Sequence, residues 1–158
     1  MKARLLVLAA LLGLAGTAAA QDMAAPTDDD RALLEECLAR DEAAAGPDIC
    51  IGTAADACMA LPEGETTVGM SECSLREATL WDERLNARYA ELEGTLEPEV
   101  FAMLREAQRA WIAYRDAECA FAHALWSPGT ISSVVAAGCM LDQTARRAIA
   151  LEGVGVGE

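Results

Sequence analysis

The stretch LREAQRAWIAYRDAEC, residues 104–119, decides the fold class. Leu104, Gln108, Trp111, Arg115 and Cys119 recur in it at steps of three and four residues, which is the spacing of one face of an α-helix. Pro98 suits the first turn of such a helix, where its missing N–H costs no hydrogen bond, and Ser127-Pro128-Gly129 is typical of a helix-ending turn. The sequence therefore predicts a long helix over 98–126. The residues along its inner side are Phe101, Leu104, Gln108, Trp111, Arg115, Cys119 and Ala122.

Helical periodicity continues on both sides of this stretch, and the alternation typical of β-strands is almost absent. Four further helices are predicted, and they run from Thr27 or Asp28 to Gly46-Pro47, from Asp48 to Leu61, from Thr66 past Glu93 with Gly94 as an interruption, and from Ile131 to Glu152. The last of them is predicted to bury a stripe made of Val135, Cys139, Leu141 or Asp142, Arg146 and Ile149. We expect an all-α protein of about five helices, built as helical hairpins or an up-down bundle.

The first 20 residues have the three parts of a secretory signal peptide. Lys2 and Arg4 precede an apolar run over 5–14, and Ala18-Ala19-Ala20 offers small residues before a cleavage site at Gln21. Thr17 stands where a lipoprotein would carry its acylated cysteine. We therefore predict a periplasmic or secreted protein with no stable membrane insertion after cleavage.

The charge of the mature chain is strongly negative. Removal of Lys2 and Arg4 leaves 10 of the 12 basic residues against all 26 acidic ones, a net charge of −16. Binding of nucleic acid needs a positive patch, so nucleic acid is not expected as a partner. A cationic protein partner is favoured electrostatically, although acidity also serves solubility alone.

The mature chain contains six cysteines, and an even number behind a secretion signal is typical of disulfide bonds. Pairing neighbours in sequence order would join helices on either side of each predicted turn, although the count alone permits other pairings. The predicted pairs are Cys37–Cys50, Cys58–Cys73 and Cys119–Cys139. The chain has no C-x-x-C motif and a single histidine, so no zinc site and no cofactor are expected.

Residues 104–119 also carry the run Ala-Gln-x-x-Trp-x-x-x-Arg-x-x-x-Cys, which resembles the signature of the lysozyme-inhibitor LprI-like family of small bacterial envelope proteins. Flanking residues agree with it: Met70-Ser71-Glu72-Cys73, Leu85-Asn86 and Tyr89 upstream, and Gly129-Thr130, Cys139, Thr144 and Arg147 downstream. The resemblance covers about residues 58–151. It implies a helical domain and, because at least one member inhibits lysozyme, an inhibitory function.

The resemblance also suggests a division of the chain. We predict a signal peptide at 1–20, an N-terminal helical hairpin extension at 21–62, an LprI-like helical domain at 63–152 and a flexible tail at 153–158.

Trp111 and Arg115 are four residues apart on one helix, so the guanidinium can lie over the indole ring. We interpret Trp111 as a core residue, with Gln108 bonding a backbone group between helices, and a binding stripe is the alternative. Gln108, Trp111, Arg115, Cys119, Thr144 and Arg147 are thus family-motif residues with a predicted structural role. Arg146 and Arg147 favour the negative end of the last helix dipole or an ion pair with an acidic neighbour.

Catalysis is not expected. Asp116 and Glu118 are two positions apart on a helix and point in different directions, so Asp116 is more suited to pair with Arg115 than to act with Glu118. His123 has no cysteine or serine predicted beside it as a nucleophile.

Two functions remain, both of them binding. The first is inhibition of lysozyme-type muramidases through an acidic surface and the exposed turns Glu63-Gly64-Glu65 and Ser127-Pro128-Gly129. The second is a periplasmic interaction or adaptor module with another target. The two turns are of interest because rigid loops bind with little ordering cost.

Overall fold

The computed structural model describes residues 25–155, and over this range the predicted all-α fold is confirmed, with no β-strand. The predicted signal peptide and the cleavage site before Gln21 lie outside the described residues. The α-helices are α1 (Asp28–Leu38), α2 (Asp41–Ala45), α3 (Thr53–Met59), α4 (Thr67–Thr95), α5 (Pro98–Trp126) and α6 (Ile131–Glu152). Two 3₁₀ turns, Pro47–Cys50 and Pro62–Glu65, precede α3 and α4.

The long helices α4, α5 and α6 run up, down and up, with α6 in the middle. Ser71 near the start of α4 donates to Ser133 near the start of α6 (3.2 Å), and Arg84 on α4 reaches Glu152 at the end of α6 (2.7 Å). α4 and α6 are therefore parallel neighbours. α5 packs mainly on α6, and its few contacts with α4 include the ring pair Tyr89–Phe101, with centroids 5.2 Å apart, close to the connection.

The centre of the core is Trp81, which is fully buried. Ala78, Leu85 and Leu92 of α4 are buried around it. The core also takes Leu80 from α4 and residues from the N-terminal segment and α6, namely Leu34, Cys37, Ala43, Cys50, Ala55, Leu141, Ala145, Ala148 and Leu151. Residues of the predicted extension and of the predicted LprI-like domain thus share one core.

The predicted stripe of α6 is fully buried only at Leu141, although Ile149 packs against the core from a half-buried position. Val135, Cys139 and Ile149 are half-buried and Arg146 is exposed. The buried residues of α6 are Ser132, Ala137, Leu141, Thr144, Ala145, Ala148 and Leu151. The reason is that α6 packs against α4 and α5 at once, so its buried surface is wider than one stripe and is centred on small residues that let the helices approach closely.

The single N-terminal helix predicted to end at Gly46-Pro47 is two helices. Thr27 caps α1 in a reciprocal capping box with Asp30, but Arg40 has an extended backbone (φ −78°, ψ 149°) that ends the helical path. The turn at Arg40 lets Ala43 enter the core and lets the chain return Cys50 to Cys37.

The helix predicted to begin at Asp48 instead begins at Thr53. Residues 47–50 form the 3₁₀ turn, Asp48 makes no capping bond, and Gly52 adopts a left-handed conformation (φ 96°) that disfavours residues with a Cβ. The cap comes from another helix: the buried Glu77 carboxylate accepts from the backbone N–H groups of Gly52 (2.7 Å) and Ala55 (2.8 Å). This places a negative charge at the positive end of α3.

The bounds of the remaining helices agree with the predictions more closely. Thr66, where this helix was predicted to begin, caps α4 by accepting from the Gly69 N–H at 3.0 Å. Gly94 does not interrupt α4, which continues to Thr95 and ends just before Pro98 begins α5. The predicted ranges of α5 and α6 are those observed.

Three disulfide bonds join cysteines that are neighbours in sequence. Cys37–Cys50 closes the α1–α2 turn region, Cys58–Cys73 joins α3 to α4, and Cys119–Cys139 joins α5 to α6, with Cα–Cα distances of 5.5–5.7 Å. Each bond adds roughly 3 kcal/mol by the loop-entropy argument.

Part of the predicted flexible tail is described. Arg88 donates to the Val154 carbonyl at 2.6 Å, and the Val154 side chain packs against the core. Residues 156–158 lie outside the described part. Between residues 25 and 155, no helix combines the length and apolar character needed to cross a membrane.

Candidate functional site

The family-motif residues meet where α5 packs on α6. Arg147 donates from Nε to the Gln108 side-chain oxygen at 2.9 Å, and its guanidinium lies 6.0 Å from the Trp111 ring centroid. Arg115 lies 5.0 Å from the same centroid. Thr144 is buried on the same helix as Arg147. These residues join α5 to α6 through one polar and aromatic cluster.

Two predictions about this cluster need correction. Gln108 was expected to bond a backbone group, but its side-chain oxygen accepts from Arg147, which satisfies both groups at the helix interface. Trp111 was expected in the core, but it is half-buried against the edge of the core, and Trp81 takes the central position. Burial at this interface lowers the pKa of Arg147, because the charged guanidinium loses water.

A groove of about 460 Å³ continues along the same interface. Its walls are formed by Arg115, Asp116, Cys119, Ala120, His123, Ala136 and Met140. Arg115 donates to Asp116 from Nε and Nη2 (3.0 and 2.8 Å), as expected for a charge partner. The groove thus contains a neutralised ion pair and a disulfide.

The histidine of this groove has a serine neighbour that the sequence did not indicate. Ser127 Oγ lies 3.4 Å from His123 Nδ1 and donates to the His123 carbonyl at 3.1 Å. This is the i to i−4 bond of a serine at a helix end, and both residues are exposed. Within residues 25–155, no three His, Cys, Asp or Glu side chains are placed to hold a metal ion.

Several acidic side chains have internal partners. Asp30 is buried, and its pKa is lowered: desolvation raises it, but hydrogen bonds from Arg76 and Thr27 together outweigh desolvation. Glu83 also has a lowered pKa, chiefly because Arg31 donates to it. These carboxylates are used inside the fold and are not free for a partner.

The two turns singled out from the sequence lie at the same end of the bundle. The Pro62–Glu65 turn leads directly into α4, the Ser127–Thr130 turn leads into α6, and the bond between Ser71 and Ser133 holds these two helix starts together. The Ser127–Pro128 peptide bond is cis. We call this end the loop-end surface.

The loop-end surface combines exposed apolar and acidic side chains, and its members are Leu61, Glu63, Glu65, Val68, Trp126 and Ile131. Within the described part of the chain, Glu63 and Glu65 make no ion pair. Apolar side chains beside uncompensated carboxylates are suited to a protein partner with a cationic surface.

The first turn of this surface is held rigidly by close backbone contacts. A Cβ on Gly64 would contact the Cys58 carbonyl and come within 2.7 Å of Met59 Cα. Gly69 is packed in the same way against the carbonyl of Glu63. With the Cys58–Cys73 disulfide across the same turn, a partner would meet a preformed loop.

We expect Gly64→Ala to lower the free energy of unfolding by about 2 kcal/mol, because the added Cβ overlaps backbone that cannot rotate away. Gly94→Ala is the matched control: its Cβ meets nothing within 4 Å, so it should stabilise α4 by roughly 0.5 kcal/mol. Urea unfolding of both variants measures the difference. Equal effects would contradict the tight packing of this turn.

Comparison with protein families gives one match. The model described as lysozyme inhibitor LprI matches residues 58–151. The chain belongs to the LprI family. No curated protein and no solved structure matches it.

The LprI match contains the cluster at the α5–α6 interface, two of the disulfides and the whole loop-end surface. The match leaves out residues 25–57, which include α1 and α2 and form the most acidic part of the described chain. Residues 25–57 carry nine carboxylates and two arginines, a net charge of −7.

Proposed function

We propose that this protein is an exported inhibitor of lysozyme-type muramidases and acts by binding them. The observation that carries the proposal is the match of the LprI family model to residues 58–151. The matched part includes the rigid turns that the sequence singled out as exposed binding loops.

Charge supports the proposal. Many lysozymes are basic, and the described residues carry a large excess of carboxylates that is densest along the chain over 25–57. Complementary charge raises the association rate more than it raises affinity. The acidic N-terminal segment would then steer a cationic enzyme toward the molecule, and contacts elsewhere would fix the complex.

The loop-end surface supports a mode of binding. Muramidases cleave with two carboxyl groups that flank the scissile bond in an open cleft. A pair of preformed loops with exposed Trp126, Leu61 and Val68 can enter or cover such a cleft with little loss of conformational entropy. Glu63 and Glu65 would meet cationic groups at the rim of the cleft.

The predicted location fits the same target. The signal-peptide pattern at 1–20 and the three disulfides favour the periplasm or the exterior of the cell, where lysozymes act. The proposal needs no cofactor, no nucleic acid and no membrane insertion.

The direct test is hydrolysis of peptidoglycan by a panel of lysozymes in the presence of purified oxidised residues 21–158. We expect inhibition at stoichiometric excess for at least one basic lysozyme. It should weaken as ionic strength rises from about 0.01 to 0.15 M, because the screening length falls from roughly 30 to 8 Å. Full activity of every lysozyme at low salt would remove the proposal and leave an adaptor with another target.

A second comparison tests the surface. The double variant Glu63→Gln/Glu65→Gln should lower the affinity for the inhibited lysozyme about tenfold, since rim charges of this kind set encounter and register. Glu93→Gln/Glu97→Gln removes the same charge from exposed positions at the α4–α5 connection, the other end of the bundle, and should change affinity by less than about threefold. Equal losses would assign inhibition to net charge and not to the loop-end surface.

A further inference from the structure

The outward side of α5 carries a continuous apolar stripe that no helix of the described chain covers. Its positions alternate steps of three and four residues over 25 residues, and all are exposed: Val100, Met103, Ala107, Ala110, Tyr114, Ala117, Phe121 and Ala124. This is the a/d pattern of a coiled coil. It is separate from the inner side of α5, where Phe101, Gln108 and Cys119 are buried.

The exposure of the large members is high. Met103 is 73% exposed, Phe121 56%, Tyr114 55% and Val100 50%, and Leu125 beside the last position is 63% exposed. At roughly 150–200 Å² for each side chain these five expose about 500 Å², which is in the upper part of the range for the largest apolar patch on a monomer, about 300–600 Å². A continuous stripe of this size in an a/d pattern favours a partner helix packed on it.

We infer that the partner is a second copy of this chain, and that the two α5 helices pack antiparallel about a two-fold axis near Ile112. In this register each a position of one helix meets a d position of the other, as antiparallel coiled coils require. The layers are Val100 with Ala124, Met103 with Phe121, Ala107 with Ala117, and Ala110 with Tyr114. Every bulky aromatic side chain then avoids its own copy, and Tyr114 lies over an alanine.

A parallel dimer fits the same stripe less well. It would place Tyr114 on its own copy and Phe121 on its own copy, and it would place four alanines on alanines. The helices would have to be far apart at some layers and close at others. The antiparallel register reduces this variation, because Tyr114 and Val100 each meet an alanine and only the Ala107–Ala117 layer pairs two alanines. Two straight helices can therefore pack more closely in this register.

Charge along α5 permits self-association although the whole molecule is acidic. α5 carries four carboxylates and three arginines, so its net charge is close to zero. Glu99 and Glu106 flank the N-terminal half of the stripe, whereas Ala113 and Ala120 take the same flank in the C-terminal half. The antiparallel arrangement places the carboxylates of one copy opposite the alanines of the other, so like charges do not meet.

The buried area is sufficient for a specific contact. Two such stripes with their alanines would bury roughly 1,000–1,500 Å² in total, which reaches the lower end of specific interfaces at about 1,200 Å². We therefore expect a reversible dimer. Each copy contributes the same surface, so a single substitution acts twice in the complex.

Analytical ultracentrifugation of oxidised residues 21–158 tests the proposal. The wild-type protein should change from monomer to dimer over micromolar to millimolar concentration. Phe121→Glu should weaken dimerisation at least 100-fold. Ile112→Glu, which introduces the same charge on the same helix about 200° around from Tyr114, should leave it unchanged. Circular dichroism of both variants checks that they fold.

A charge-pair variant tests the register. Ala107→Lys alone should abolish the dimer, and Ala107→Lys with Ala117→Glu should restore it, because these two positions face each other only in the antiparallel arrangement. A wild-type monomer at every concentration, or a dimer that Phe121→Glu and Ile112→Glu affect equally, would overturn the proposal. If Phe121→Glu dissociates the dimer but Ala107→Lys with Ala117→Glu does not restore it, the antiparallel register of the proposal would be overturned.

Discussion

Trp81→Ala is expected to lower the free energy of unfolding by about 4 kcal/mol, because it removes the largest fully buried side chain of the core and leaves a cavity between helices. The indole also donates from Nε1 to Glu77 at 3.0 Å, so its loss leaves a buried carboxylate with one partner fewer. Urea unfolding followed by circular dichroism measures the effect.

The control is Trp126→Ala. Trp126 is 54% exposed on the loop-end surface, and its removal should change the free energy of unfolding by less than about 1 kcal/mol. A small loss for Trp81, or comparable losses for the two tryptophans, would place the core elsewhere.

Glu77→Gln is expected to cost about 3 kcal/mol of folding free energy although the two side chains have nearly the same shape. The carboxylate of Glu77 accepts three hydrogen bonds, from Gly52, Ala55 and the Trp81 indole. Glutamine can accept with one oxygen only, and its NH₂ group would face a backbone N–H. Bonds to a charged acceptor contribute roughly 1.5–3 kcal/mol each when they are lost.

Glu72→Gln provides a matched comparison on the same helix. Glu72 is exposed, so its replacement should alter the free energy of unfolding by no more than about 0.5 kcal/mol. Amide hydrogen exchange should also show faster exchange at Gly52 and Ala55 in Glu77→Gln. Unchanged exchange there would mean that the carboxylate does not cap α3.

Local signals explain which helices could be predicted. The bounds of α5 agree with the sequence because Pro98 and the Ser127-Pro128-Gly129 turn determine both ends within a few residues. Thr66 could be recognised as the start of α4 because it directly follows the turn at Pro62–Glu65. Cysteines on either side of predicted turns likewise suggested partners that lie close together in the structure.

The errors concern features that depend on distant residues. α3 begins at Thr53 because Glu77, 25 residues beyond Gly52, supplies its cap. The buried face of α6 depends on its position between α4 and α5, and sequence periodicity alone cannot predict that position.

The individual turns and motif residues of the candidate site could be predicted, but their arrangement in space could not. The two turns could be recognised from proline and glycine, but their shared location depends on the parallel packing of α4 and α6. The bond between Gln108 and Arg147 spans 39 residues of sequence and could not be assigned from spacing. The apolar stripe of α5 is visible in the sequence as a repeat, but only the fold reveals that it is left uncovered.

The middle position of α6 has a consequence for the order in which the molecule can form. Its 22 residues are synthesised after the other helices, yet they supply the wall on which both α4 and α5 rest. A nascent chain that stops before Ile131 therefore lacks a closed interior, however much helix it contains. Such a polypeptide leaves one side of both helices open to solvent, and the fold closes only when residues 131–152 pack into place.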